Sequence, residues 1–307
     1  MKNFADRMVE AVRRTKAPVV VGLDPRIESL PEWIRPADGA SASWETQANA
    51  YLQFCRDVID VVAPLVPAVK PQAAFFEQLG PAGMIALYEV VRYAREKQLL
   101  VIMDAKRNDI GSTATAYAHA YLGEQSAWGA DSLTISPYLG DDSLTPFVEV
   151  ARKTGSGLFC LVKTSNPGGQ QFQDLLIDGR PLYQIVAEFV ETLAMRTAGE
   201  QGYGAFGAVV GATYPEQLTE LRSAMPTTWF LVPGYGSQGG GATDVAGGFD
   251  EQGLGAIVNN SRGIIFAHAQ AEYREKYAPE QWQRAVEDAT QAMIDALRTD
   301  TTAGRLV

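Results

Sequence analysis

The chain reads as a single (β/α)8 barrel of the α/β class, and three observations point there. Eight short β-rich runs recur along the chain, helix-like segments or long loops separate them, and nearly every run ends in a polar residue. Most runs are continuous stretches of Val, Ile and Leu, the mark of parallel strands buried on both faces. Alternation of strand and helix implies parallel βαβ units. Eight of them in 307 residues suit one closed barrel better than two small doubly wound domains. No compositional break marks a linker, so residues 1–307 are expected to form one domain.

The elements follow in order. An amphipathic start, MKNFADRMVEAVRRTK, lacks the apolar run of a signal peptide and precedes the first strand, Val19–Asp24. A Pro-containing loop, Pro25–Ser43, leads to a helical pattern over Thr46–Val61. The second strand is Ala68–Gln72, followed by a helix over Ala82–Lys97; the third is Leu99–Lys106, followed by Thr113–Trp128. Ser132–Tyr138 is the fourth strand and Leu158–Thr164 the fifth, with a helix over Leu182–Ala198. Gly207–Thr213 and a helix over Pro215–Ser223 come next. The seventh strand, Trp229–Tyr235, opens into the Gly-rich stretch Gly234–Gly255, and the eighth is Ala256–Ser261. The polar tail from about Arg298 is expected to fray.

Composition narrows the function classes. Acidic residues outnumber basic ones, 36 to 26, for a formal charge of −10. That balance argues against a nucleic-acid partner while leaving room for one local phosphate pocket. Cys55 and Cys160 lie in apolar contexts and are too few for a disulfide scaffold or a cysteine zinc site. They read as core thiols in a reducing cytosol. No stretch approaches ~18 uninterrupted apolar residues, so no membrane span and a cytoplasmic location are expected.

Chemistry concentrates where barrel enzymes keep it, at the carboxyl ends of strands. Asp24 ends the first run and Lys70 the second; Asp104 and Lys106 end the third with Asp109 just beyond, Thr164 and Ser165 end the fifth, and Arg262 follows the eighth. Asp104 and Lys106, two apart on a strand, point to one face. With Lys70 and Asp109 they form an expected array of two cations and two carboxylates. A structural ion-pair network is the plainer alternative. The last two loops resemble a phosphate cradle: backbone amides of VPGYGSQGGG with Tyr235 and Gln238, then Arg262 and the amide of Gly263. Two matches to GxGxxG, at Gly234–Gly239 and Gly202–Gly207, lack the strand–turn–helix order that dinucleotide binding needs. His119 and His268 are isolated and sit in no metal-ligand spacing.

VGLDP, VKPQAAFFE, DAKRNDIGSTA, PGYGSQGG and NNSRGI, in that order, resemble the orotidine 5'-phosphate decarboxylases in their longer bacterial form. The resemblance implies a (β/α)8 barrel working as a homodimer with shared active sites and without cofactor or metal. It makes Lys106 the proton donor, Asp104 its partner, and Lys70 an array lysine that also meets the ribose. It makes Asp109 a carboxylate reaching across the dimer with Thr113 beside it, and Asp24 the ribose-binding acid. Thr164 or Ser165 would face the pyrimidine, and Gln238, Arg262 and Gly263 the phosphate. One departure concerns the seventh loop. Many family members carry Arg directly after Pro-Gly, where this chain has Tyr235. Two other readings are weighed. A Mg2+-dependent aldolase-type lyase on a pentulose phosphate would need a carboxylate site for which Glu77 is the obvious spare acid. A non-catalytic phosphate-binding barrel would bind nucleotide without turnover.

Overall fold

A computed structural model describes residues 2–236 and 239–306. Its centre is a closed barrel of eight parallel strands in sequential order. They are β1 (Val19–Leu23), β2 (Ala68–Pro71), β3 (Leu100–Arg107), β4 (Ser132–Ile135), β5 (Gly157–Lys163), β6 (Phe206–Val210), β7 (Phe230–Val232) and β8 (Ala256–Asn260). Closure is made by β1, which pairs Val20 with Ala68 of β2 and Val19 with Val258 of β8. Five strands fall within one residue of the run expected from the sequence, whereas β4, β6 and β7 end three residues earlier than expected, at Ile135, Val210 and Val232. All five residues of β1, β6 and β8 are buried, as strands covered on both faces require.

Around the staves lie α1 (Phe4–Thr15), α2 (Trp44–Val62), α3 (Gly80–Glu96), α4 (Gly111–Tyr121), α5 (Asp141–Thr154), α6 (Leu182–Arg196), α7 (Pro215–Ala224) and α8 (Trp282–Asp300). The amphipathic start becomes α1, capped by the Asn3 side chain on the Ala5 amide. It lies across the amino end of the barrel: Asp6 accepts from the amides of Glu200 and Gln201, and Arg7 pairs with Asp131. Phe4 meets Phe159 edge-on at 5.9 Å, and a Cβ on Gly157 would stand 2.1 Å from the Phe4 ring. Glycine there is what lets the helix seat.

Four details depart from the expected pattern. Helix α4 ends at Tyr121, not Trp128, because Leu122 turns extended and bridges to Ala130, with Gly123 at φ +94°. Helix α5 was not anticipated; Pro146 inside it interrupts a helical reading. A short hairpin, Leu176–Ile177 with Arg180–Pro181, fills the segment between β5 and α6. The tail does not fray. Helix α8 runs to Asp300, buries Trp282, Val286, Met293 and Leu297, and stacks Trp282 on Phe54 at 5.4 Å. A 3-10 turn over Thr302–Arg305 then buries Ala303 completely, while Thr302 donates to the Asp250 carbonyl at 2.7 Å. Burying each large apolar side chain of that face contributes ~1.5–3 kcal/mol, which outweighs the polar composition of the tail. Cys55 and Cys160 are buried free thiols, and burial pushes both well above the ordinary thiol value, as core thiols should be.

Candidate active site

The carboxyl end of β3 carries a tight polar cluster on the barrel rim. Asp104 is almost buried, and its two oxygens receive four donors. Oδ1 accepts from Lys106 Nζ at 2.6 Å and Thr134 Oγ1 at 3.1 Å; Oδ2 accepts from Lys70 Nζ at 2.7 Å and Gln72 Nε2 at 3.0 Å. That uses essentially all the acceptor capacity of a carboxylate. Burial by itself would raise its pKa, but the two ammonium groups and their hydrogen bonds outweigh burial and hold it well below the usual carboxylate range. Burial likewise opposes the charge on Lys70, yet Asp104 and Asp24 prevail and hold that ammonium above its ordinary value. Coulomb attraction between unit charges ~4 Å apart is about 4 kcal/mol at an effective dielectric near 20, enough to fix such a set in place.

The cluster is asymmetric in one decisive respect. The Lys70 side chain is 5% exposed and that of Asp104 9%, but that of Lys106 is 48% exposed. Lys106 is the member that can meet a ligand. Its aim comes from the backbone. The β3–β4 register slips between Met103 and Arg107, and Lys106 sits at φ +46°, in the left-handed region. A non-glycine residue there costs about 1–3 kcal/mol. Thr134 of β4 offsets the cost by accepting the amides of Ala105 and Lys106 at 3.1 and 2.9 Å. The bulge bends the strand end and re-aims the side chain.

Asp109 is not part of this cluster within one chain. It is half-buried, accepts the Ile110 amide at 2.8 Å, and makes no ion pair among the described residues. Within one chain the cluster therefore holds three of the four expected charges, because after the bulge the chain leads away into α4. Thr113 is exposed on the first turn of that helix. Asp24 follows β1 beside Lys70, with Gly22 in register with Lys70, and its Oδ1 is buried without a partner among the described residues. An unpaired buried carboxylate oxygen is costly and marks a place awaiting a donor.

At the end of β5 the structure separates two residues that the sequence left as equals. The Thr164 hydroxyl donates to Asn166 Oδ1 at 2.7 Å and accepts from Gln173 Nε2 at 2.8 Å, so it is spent inside its own loop. The Ser165 hydroxyl makes no hydrogen bond among the described residues, and its carbonyl is held by Thr213 Oγ1 at 3.0 Å.

The end expected to take a phosphate is less complete. Arg262 is exposed at the start of a short helix, Arg262–Ile265, with no acid partner among the described residues. The Gly263 amide is engaged by Asn260 Oδ1 at 3.1 Å, and a Cβ on Gly263 would meet Asn260 Nδ2 at 2.7 Å. The expected display of free amides in the seventh loop is not what the structure has. The amides of Gly236, Gly239 and Gly240 bond to carbonyls of the same loop, and that of Gly241 to Asp244 Oδ2 at 2.7 Å. Tyr235 packs its ring against the core, and burial, with a lesser effect of Asp300, raises its phenol pKa. Gln238 lies outside the described residues.

Three contributors were missed from sequence: Gln72, Thr134 and Lys163. Gln72 sits two residues after Lys70, so the period of a strand could have flagged it. Thr134 is an ordinary strand threonine and carries no such signal. Lys163, the last residue of β5, is completely buried and pairs with Asp174. Glu77, the acid a Mg2+ site would have recruited, is committed to Arg107, which also donates to the Tyr121 hydroxyl at 2.9 Å. Among the described residues no group of three or more His, Cys, Asp or Glu gathers as a metal site, and no helix is long and apolar enough to cross a membrane.

Comparison with known proteins places this geometry. The family model "Orotidine 5'-phosphate decarboxylase / HUMPS family" matches residues 17–277. An orotidine 5'-phosphate decarboxylase of Rhodopirellula baltica is 55% identical over 97% of this chain and 100% of its own length. One of Caldicellulosiruptor bescii is 41% identical over 87% of this chain and 91% of its own. The solved OMP decarboxylase of Leishmania donovani is 33% identical, with a TM-score of 0.69 over 94% of this chain and 99% of its own. A closed parallel barrel, a β3 end carrying the Asp–Lys pair, and matches that span nearly the whole chain agree: the protein belongs to the orotidine 5'-phosphate decarboxylase family.

Proposed function

We propose that this chain is a carboxy-lyase that converts orotidine 5'-monophosphate to UMP, the last step of de novo pyrimidine synthesis, without cofactor or metal. The observation that carries the proposal is the half-exposed Lys106 ammonium held at 2.6 Å by a carboxylate whose other acceptor positions are already filled. Breaking the bond from C6 to the carboxylate releases carbon dioxide and leaves the electron pair on C6, where the ring delocalises it poorly. A fixed ammonium stabilises that charge as it develops and then delivers its proton to C6, and the neutral amine regains a proton from solvent. Asp104 keeps Lys106 oriented throughout. Its proximity to the substrate carboxylate also disfavours the ground state.

The remaining roles follow from position. Lys70 and Asp24, on adjacent strands, meet the ribose. Ser165, whose hydroxyl makes no hydrogen bond among the described residues, faces the pyrimidine. Arg262 and Gly263 take the phosphate with Tyr235 and Gln238, and closure of the seventh loop on phosphate would turn its amides outward. Contacts to the remote phosphate supply binding energy used at the reacting carbon.

The chain works as a homodimer with shared sites, as one catalytic domain over 1–307, in the cytoplasm. Asp109 makes no ion pair among the described residues of one chain, and Ile110, Tyr138 and Leu139 expose apolar side chains on the same rim, after β3 and β4. Exposed apolar surface beside an incomplete site favours a partner that completes it. The test is direct: orotidine 5'-monophosphate is added to the purified protein in EDTA and its ultraviolet absorbance followed. Conversion to UMP is expected. Tight binding without turnover would instead favour a phosphate-binding barrel, and loss of activity with EDTA a metal-dependent lyase.

A further inference from the structure

We infer that Lys163, Asp174 and Gln173 are positioning residues that hold Thr164–Ser165 in place for the pyrimidine ring, an inference that rests on the decarboxylase reading above. Lys163 is fully buried at the end of β5, where a cation is costly unless paired. Its partner is Asp174, eleven residues on in sequence. The ammonium also lies 4.8 Å from the Tyr214 ring centroid and 5.3 Å from that of Tyr183. Tyr214 precedes α7 and Tyr183 is in the first turn of α6, so one charge joins three neighbouring segments of the barrel wall.

The pairing folds the intervening chain back on itself. Gln173, next to Asp174, grips Thr164 with both ends of its amide: Oε1 accepts the Thr164 N–H at 3.0 Å, and Nε2 donates to the Thr164 hydroxyl at 2.8 Å. On the other side, Thr213 holds the Ser165 carbonyl, and a Cβ on Gly211 would come within 2.7 Å of the Ser165 main chain. Every polar group of Thr164 named here is thus satisfied internally, while the Ser165 hydroxyl is left uncommitted among the described residues, on a main chain clamped from both sides. A recognising group on a rigid support is what selectivity for one ring needs. Neither Lys163 nor Asp174 needs to touch substrate to do this.

A staple that served stability alone would affect all ligands alike, so the test compares a ligand with the base and one without it. UMP and ribose 5-phosphate are titrated into the full-length protein and its variants by calorimetry. For Gln173→Ala, the Kd for UMP is expected to rise about tenfold while that for ribose 5-phosphate stays within about twofold. Asp174→Asn should show the same selective loss, and Asp174→Glu should recover part of it. Equal weakening of both ligands, or no weakening of either, overturns the inference. If Asp174→Asn fails to fold, Gln173→Ala decides alone. Wild-type protein silent with orotidine 5'-monophosphate would sink the decarboxylase reading instead, and the UMP comparison would still read the clamp separately.

Discussion

The end of β3 and the Gly-rich seventh loop lie on the same rim but are built on opposite principles. At β3, side chains do the work and the main chain is committed: a bulge, a left-handed Lys106 and four donors on Asp104 leave the array one arrangement. In the seventh loop glycine predominates, and the amides of Gly236, Gly239 and Gly240 are turned on the loop's own carbonyls. The first region is preorganised before any ligand arrives, as stabilisation of a developing charge demands. The second can exchange internal bonds for bonds to a phosphate, as a closing loop demands. The difference teaches where rate and where affinity should reside.

Substitution can break that contrast. Lys106→Ala should lower kcat/KM by at least ~10^4-fold with the fold intact by circular dichroism, because it removes both the stabilising charge and the proton. Mixing it with Asp109→Ala should restore roughly a quarter of wild-type activity, since half of randomly exchanged dimers carry one whole site. Turnover near wild type for Lys106→Ala refutes the assignment, and no recovery after verified exchange refutes the shared site. Arg262→Ala should act on the other half of the contrast. We expect KM to rise ~10–100-fold, the worth of a hydrogen bond to a charged group, with a much smaller change in kcat. A kcat collapse as deep as that of Lys106→Ala would erase the division.

The smallest effect concerns pH. Asp104 is depressed when folded, so it contributes stability above about pH 4 that is lost as pH falls through its folded value. Lys70 is raised, so its contribution is present below about pH 10.4 and lost as pH rises through its folded value. The stability difference between wild type and Lys70→Met/Asp104→Asn should be flat between those limits and drift beyond each. Denaturant midpoints across the range read it; a drift through neutral pH would place the linkage elsewhere.

Much of this was legible in the sequence for definite physical reasons. The eight strands are buried on both faces and so announce themselves as apolar runs. Lys70, Asp104 and Lys106 stand out because charges at the ends of such runs are expensive without a purpose. What stayed hidden depends on the third dimension. The isolation of Asp109 follows from a bulge that leaves no mark on the spacing of DAKRND. Lys163 reads as one more residue of LVKTS until Asp174 is seen folding back to it. The packed tail misled because its polar composition conceals Ala303 and Leu306, which are buried.

The bulge at Lys106 bears on how this enzyme could be altered. The direction of the Lys106 ammonium is set by main-chain torsions and by a threonine on the next strand, not by the lysine's own rotamers alone. Inserting or deleting a residue between Met103 and Arg107, or replacing Thr134 with valine, should swing the amine off its target even though no reactive group is changed. Attempts to retune the substrate are therefore better confined to the loops after β5 and β7.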